Sequence, residues 1–224
     1  MPLTSHQLLV GYREGVFPMD GPDGLHWYRP HRRAVIPLGD AFHVPASLAR
    51  VGRSGRFHVT TDRAFEAVMR ACAVPRPEQP GEGTWISEQI VAAYTDLHRQ
   101  GAAHSVEVWD GGGDGGAGAL AGGLYGVALG GAFFGESMFH RARDASKVAL
   151  VALVERLRAG GFVLLDTQFL TPHLARFGAY EMPRAAYEAR LADALRLPAR
   201  WPADQGHPPG HAPGEAASAG PPAS

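Results

Sequence analysis

Three polar side chains stand in otherwise apolar stretches. Asp166 and Gln168 flank Thr167 directly after Phe162-Val163-Leu164-Leu165, and Glu136 lies among Phe133, Phe134, Met138 and Phe139. At strand spacing residues 166 and 168 face the same way. A carboxylate beside an amide at the end of a buried strand can orient a group that gives up a proton, because a Gln side chain offers both a donor and an acceptor. A strand-end cap followed by a turn explains the same letters, and the residues alone leave both readings open. Around them Leu124, Phe133, Met138, Leu150, Leu153 and Leu165 fall on strand and helix faces, where core packing accounts for each taken singly. Arg50, Arg53 and Arg56 recur every three residues, enough for a basic edge that meets phosphates or for a solvated surface.

Other chemistry-like letters are weaker. Gly111 to Gly116 satisfies G-x-G-x-x-G, but strand-like Leu120 to Ala128 follows where a dinucleotide loop needs a helix N-terminus, so a hairpin loop is expected. Gly135-Glu136-Ser137-Met138-Phe139 approaches the serine-hydrolase elbow but ends in Phe where close packing needs Gly. His207 and His211 are separated by Pro208, Pro209 and Gly210, which forbid the helix that would aim both at one metal. Cys72 is the only cysteine, so no intramolecular disulfide or multi-cysteine zinc site forms, and a small buried hydrophobe in a reducing cytoplasm is expected.

The elements that must position these groups are legible in part. A helix is expected from Ser5 to about Glu14 behind a Ser cap, and another from Pro45 to about Gly52. Asp62 is placed as the cap of a helix carrying Phe65, Val68, Met69 and Cys72, and Ile86 to Gln100 reads as a further helix. Strand-like runs follow at 104–109, 120–128 and 132–137, then a strong helix opened by Asp144 and ended by Gly160-Gly161. A short strand at 162–166 and a last helix from Arg184 to Leu195 complete the pattern. Strands in a meander, then helix, then strand, indicate an α+β fold. The expected division is a small N-terminal lobe at 1–56, a main domain at 57–200 and a disordered Gly/Pro/Ala/Ser-rich tail at 201–224.

The chain has 224 residues, 45% of them hydrophobic, which suffices for a sizeable core. Its 21 basic and 22 acidic residues nearly cancel, so any nucleic-acid contact must be local rather than a diffuse positive field. No stretch approaches the roughly 20 apolar residues that span a bilayer, so no membrane association is expected.

Whole segments resemble the leucyl/phenylalanyl-tRNA protein transferase family. They are Gly11-Tyr12-Arg13-Glu14-Gly15-Val16-Phe17-Pro18-Met19, Gly83-Thr84-Trp85-Ile86, 103–109, 122–127 and Phe134-Gly135-Glu136-Ser137-Met138-Phe139. Ala145-Ser146-Lys147, Leu165-Asp166-Thr167-Gln168 and 173–179 follow in the same order. The resemblance implies a small N-terminal domain joined to a C-terminal domain similar to the Gcn5-related acetyltransferase architecture. It implies an aminoacyltransferase of the N-end rule pathway that moves Leu, Phe or Met from aminoacyl-tRNA to the α-amine of proteins beginning with Arg or Lys, marking them for degradation.

The donor ester is already activated, so the resemblance implies no ATP, metal or organic cofactor, and a cytoplasmic monomer is expected. Asp166, Gln168 and Glu136 become the implied catalytic group, with Asp166 polarising Gln168 while Gln168 guides the amine proton and Glu136 orients the acceptor. The ribose 2′-hydroxyl of the terminal adenosine is the rival proton carrier. Leu124, Phe133, Met138, Leu150, Leu153 and Leu165 become the donor side-chain pocket. Trp85 and Met19 match positions that meet the terminal adenosine, and Arg50 and Arg53 those that meet the acceptor stem. Two positions depart from the pattern: Met19 stands where some members carry Trp, and Leu153 where a bulkier aromatic occurs. A CoA-dependent N-acyltransferase of similar fold and a noncatalytic tRNA-binding protein are the alternatives.

Overall fold

The computed structural model describes residues 2–74, 84–111 and 118–203. Helix α1 (Ser5–Arg13) is opened by Thr4, not by Ser5. Thr4 and Gln7 exchange side-chain and backbone hydrogen bonds in a capping box, which satisfies two otherwise orphaned amides. A two-stranded hairpin follows, β1 (Phe17–Gly21) against β2 (Gly24–Tyr28).

Strand β3 (Arg32–Ile36) and helix α2 (Ala46–Arg53) come next, then β4 (Phe57–Thr61), α3 (Phe65–Cys72), α4 (Glu88–Arg99), β5 (Ala103–Asp110), β6 (Ala119–Leu129) and β7 (Ala132–His140). The chain continues through α5 (Ala145–Ala159), β8 (Leu164–Gln168), α6 (Pro172–Ala175), β9 (Tyr180–Pro183) and α7 (Arg184–Leu195). Seven of these strands form one sheet in the order β4-β5-β6-β7-β8-β3-β9. Every neighbouring pair in it is antiparallel except β7 and β8, which α5 joins as the crossover a parallel pair requires. An antiparallel meander β4–β7, one parallel pair and two further antiparallel neighbours, with helices on both faces, make the α+β arrangement expected.

Each face of the sheet buries its own core. On one face Leu8 and Tyr12 of α1, Val68 and Met69 of α3, Ile90 and Tyr94 of α4 and Tyr187 of α7 pack against Tyr125, Val127 and Leu164. On the other, Leu48 of α2, Leu150, Leu153 and Leu157 of α5 and Leu174 of α6 pack against Val106, Leu124, Phe133 and Leu165. The alternation of Leu164 and Leu165 between the two cores follows from the two-residue pleat.

Several expectations shift. The boundary expected after residue 56 would assign β3 to the N-terminal lobe, but β3 is hydrogen-bonded between β8 and β9 in the large sheet. Its apolar part, Ala34-Val35-Ile36, is too short to announce a strand. Asp62 does not cap α3: it adopts φ 61°, accepts the Ser105 amide at 2.9 Å and lies 2.8 Å from His104 Nδ1, while α3 begins three residues later. Asp144 occupies the N-cap position of α5 with φ 70°, and its carboxylate accepts from Lys147 Nζ instead of capping. Trp201, expected to open a disordered tail, packs against the core of the α5 face. The remainder of that tail from 204 onward lies outside the described residues, as do His207 and His211 and the glycine stretch from 112 to 116.

Candidate active site

The site forms where β7 and β8 separate. Their pairing covers only Ala132↔Leu164, Phe133↔Leu165 and Phe134↔Asp166, although β7 runs on to His140 and β8 to Gln168. Beyond Phe134 and Asp166 the sheet is therefore forked. An added Cβ at Gly135 would meet only ordinary contacts, Asp166 O at 3.5 Å and Leu165 Cδ1 at 3.9 Å, so the fork is open beside the Leu165 side chain.

On the polar side, Asp166 is fully buried and its carboxylate is saturated. Arg33 donates from Nε to Oδ1 at 2.9 Å and from Nη2 to Oδ2 at 2.6 Å, Tyr187 Oη donates to Oδ2 at 2.6 Å, and the Gln168 amide donates to Oδ1 at 2.8 Å. Arg33 is itself only 1% exposed and lies over the Phe17 and Tyr187 rings at 4.5 and 4.9 Å. Burial opposes its charge, but attraction and hydrogen bonds from Asp166 prevail and hold its pKa above the ordinary guanidinium value. A bidentate pair this dry stands only because both partners are present.

The consequence for Gln168 is conformational. The carboxylate reaches its backbone amide, not its side chain, and Gln168 adopts φ 59°, a left-handed conformation that strains a residue with a Cβ. A register shift between Ala34 and Val35 on the neighbouring β3 accompanies this turn. The Gln168 side-chain nitrogen, Nε2, then donates to Glu136 Oε1 at 3.4 Å, the outer limit of a hydrogen bond.

Glu136 reaches this cluster through a bulge. Ser137 pairs with Tyr125 and Gly135 with Gly126, so Glu136 is an extra residue in β7. The bulge lets Glu136 face Tyr94 of α4 while Met138 packs on the opposite, α5 face. Tyr94 Oη donates to Glu136 Oε2 at 3.3 Å, and Tyr12 Oη and Tyr94 Oη are hydrogen-bonded to each other. Burial pushes the Glu136 carboxyl up to about 7; the Tyr12 hydrogen bond opposes this and the Asp166 charge adds to it. Burial and then the Glu136 charge push both tyrosines well above their usual range.

The six apolar candidates converge on the other face. Phe133 and Leu165 are cross-strand partners just inside the fork, Leu124 lies on β6, and Leu150 and Leu153 approach from α5, all at most 3% exposed. Met138 is partly buried against the same core. The candidates for nucleic-acid contact fall in two places. Met19 sits on the hairpin and Trp85 before α4, joined by Asp20, whose amide donates to Trp85 O at 3.3 Å and whose carboxylate accepts from Ser87 and Gln89 at 2.6 Å each. Arg50 and Arg53 are exposed in the last turn of α2, on the α5 side.

Local sequence did not point to Arg33, Tyr94 or Tyr187; only Tyr12 and Gly15, whose carbonyl accepts from Arg33 Nη1 at 3.3 Å, lay in a recognised run. Ser137 sits inside a strand and lacks the strand-to-helix turn of a nucleophile elbow.

Residues 35–192 match the family described as Leucyl/phenylalanyl-tRNA protein transferase, and residues 1–31 match that family's N-terminal domain. The chain is similar to the leucyl/phenylalanyl-tRNA protein transferase of Rubrobacter xylanophilus, at 58% identity over 88% of this chain and 97% of that protein. It is similar to those of Herpetosiphon aurantiacus, at 54% over 88% and 97%, and Paramagnetospirillum magneticum, at 57% over 87% and 90%. Among solved structures, FemX shares the fold at a TM-score of 0.53 and 10% identity, covering 70% of this chain and 60% of that one.

Proposed function

The chain belongs to the leucyl/phenylalanyl-tRNA protein transferase family, and on that premise we propose that it transfers Leu, Phe or Met from aminoacyl-tRNA to the α-amine of proteins beginning with Arg or Lys. The observation that carries this assignment to the site is the fork between β7 and β8, with a polar cluster on one face and an apolar wall on the other. The donor ester carbonyl sits at the fork. Its side chain turns toward Leu124, Phe133, Met138, Leu150, Leu153 and Leu165, and the acceptor amine comes from the Glu136 side.

The amine nitrogen attacks the ester carbonyl, a peptide bond forms, and the 3′-oxygen of the terminal ribose leaves. An α-amine has a pKa of about 7.7, close to the value of about 7 at Glu136. Proton exchange between them is nearly balanced, so Glu136 orients the ammonium and draws off its proton before attack. The Gln168 carbonyl oxygen accepts from the amine and aims its lone pair, while Asp166 fixes the Gln168 turn and takes no proton, its oxygens being engaged. The ribose 2′-hydroxyl takes the proton that the nitrogen sheds as the peptide bond forms and passes its own to the departing 3′-oxygen, and holding the reactants in place supplies much of the rate. Trp85 stacks on the terminal adenine beside Met19, a contact of about 1–3 kcal/mol, and Arg50 and Arg53 meet acceptor-stem phosphates. The enzyme works as a cytoplasmic monomer, marking its acceptors for degradation; among the described residues no helix is long and apolar enough to cross a membrane.

Labelled leucyl-tRNA and two peptides differing only in their first residue test this. Label is expected on the peptide starting with Arg and not on that starting with Ala, and transfer should stop after RNase treatment. No transfer from intact charged tRNA would overturn the assignment. Acylation from acetyl-CoA untouched by RNase would favour the CoA-dependent alternative, and binding of charged tRNA without labelled product the noncatalytic one.

A further inference from the structure

Beyond α7, and past residue 192 where the family match ends, the chain folds back over the α5 face. The Arg200 amide donates to Gly160 O at 3.0 Å, and Arg156 Nη1 donates to Pro202 O at 2.5 Å and Ala203 O at 3.3 Å. These anchors set the Trp201 indole parallel to two rings of the sheet: His104, with centroids 4.4 Å apart and planes 10° apart, and Phe133, at 5.5 Å and 18°. The Arg156 guanidinium lies 5.4 Å from the indole centroid.

Phe133 is therefore held on several sides. A Cβ at Gly126 would run into both the Phe134 carbonyl oxygen and the Phe133 ring, so glycine there lets the ring lie against β6. Phe162 meets it edge-on at 6.4 Å, and Trp201 stacks on it. Beside Trp201 is a cavity of about 350 Å³, lined by His104, Ala128, Phe162, Arg200 and Trp201 among others. Trp201 and Arg200 bring to this enclosure the chain that follows α7.

We propose that Trp201 is a specificity-determining residue: by backing Phe133 it fixes the depth of the donor side-chain pocket and so the ratio in which Leu and Phe are accepted. This rests on the placement of Phe133 in the donor pocket given above. Phe133 is the cross-strand partner of Leu165 just inside the fork and stacks on Trp201. With the indole removed, the space it fills joins the neighbouring cavity, and the ring gains room to retreat. A deeper pocket costs a small donor contacts it had and admits a long, planar one.

The test compares kcat/KM for leucyl-tRNA and phenylalanyl-tRNA with one Arg-initiated peptide in the full-length wild type, Trp201→Ala, Trp201→Leu and Trp201→Phe. A ratio of two donors on the same preparation is insensitive to the fraction of folded enzyme. The Phe-to-Leu ratio should rise about fivefold in Trp201→Ala, rise less in Trp201→Leu and stay near the wild type in Trp201→Phe. If Trp201→Ala does not fold, Trp201→Leu carries the test. An unchanged ratio in every folded variant, with wild type active on both donors, overturns the role of Trp201. A wild type that transfers neither donor overturns the transferase assignment instead.

Discussion

The two faces of the sheet at the fork are built on opposite principles. On the α1/α7 side, Arg33, Asp166, Tyr187 and the Gln168 amide form a closed set of directional bonds with little free capacity left. On the α5 side, Phe133, Leu150, Leu153 and Leu165 are held by packing alone, which has no preferred direction and tolerates changes of shape. The contrast separates two tasks: the polar face must hold one geometry to a few tenths of an ångström, whereas the apolar face must fit a side chain that differs between donors. Damage to the polar face should therefore be abrupt, and damage to the apolar face graded.

The largest expected effect breaks the polar face. Arg33→Met leaves a buried carboxylate without its cation and should lower unfolding free energy by about 3–5 kcal/mol, read from urea transitions. Arg33→Met combined with Asp166→Leu removes both charges and should regain much of that stability, yet transfer should stay lost because nothing then fixes the Gln168 turn. Recovery of activity with stability would show that the pair only holds the fold. Asp166→Ala alone is a poor probe of chemistry for the same reason, since it strands Arg33.

A smaller effect comes from Glu136, also on the polar side, bonded to Tyr94 and Gln168. Its carboxyl sits near 7 against an ordinary 4.5, so the folded state binds the proton more tightly than the unfolded one. Its contribution is then most favourable below about pH 4.5 and is lost as pH rises toward 7. Glu136→Gln should flatten this decline relative to wild type in urea midpoints taken across that interval. Parallel curves for the two proteins would mean that the carboxyl titrates as if solvated.

The same contrast explains what could be read from sequence. Helix α7 was expected from Arg184 to Leu195 and runs over those residues, because Pro183 opens it and local periodicity suffices. The α5 face was legible for a like reason: repeated Leu and Val report burial wherever they occur, and all six apolar candidates share one core region. The polar face was not. Arg33 and Asp166 are 133 residues apart, and an Arg next to Arg32 gives no local sign of burial. A one-residue bulge put Glu136 and Met138 on opposite faces, and the left-handed turn at Gln168 replaced the side-chain contact expected from strand alternation with a backbone one. Trp201 was assigned to the tail by the Pro and Gly that follow it, although what decides its place is a set of partners at 104, 133 and 156.

The smallest effect lies outside both faces, on α2, and it separates binding from both chemistry and selection. Arg50 and Arg53 are exposed and have no ion-pair partner among the described residues, whereas Arg56 nearby is paired with Asp110 at 2.9 Å. A free cation gains by neutralising a phosphate and releasing its counterion; a cation already matched by a carboxylate gains less. Arg50→Ala and Arg53→Ala should each reduce the slope of log affinity for charged tRNA against log salt by roughly 0.7–0.9, while kcat and the Phe-to-Leu ratio stay as in wild type. Arg56→Ala should reduce the slope by less. Equal losses at all three would make the α2 edge a diffuse positive surface, and no loss at Arg50 or Arg53 would move the acceptor stem elsewhere on the molecule.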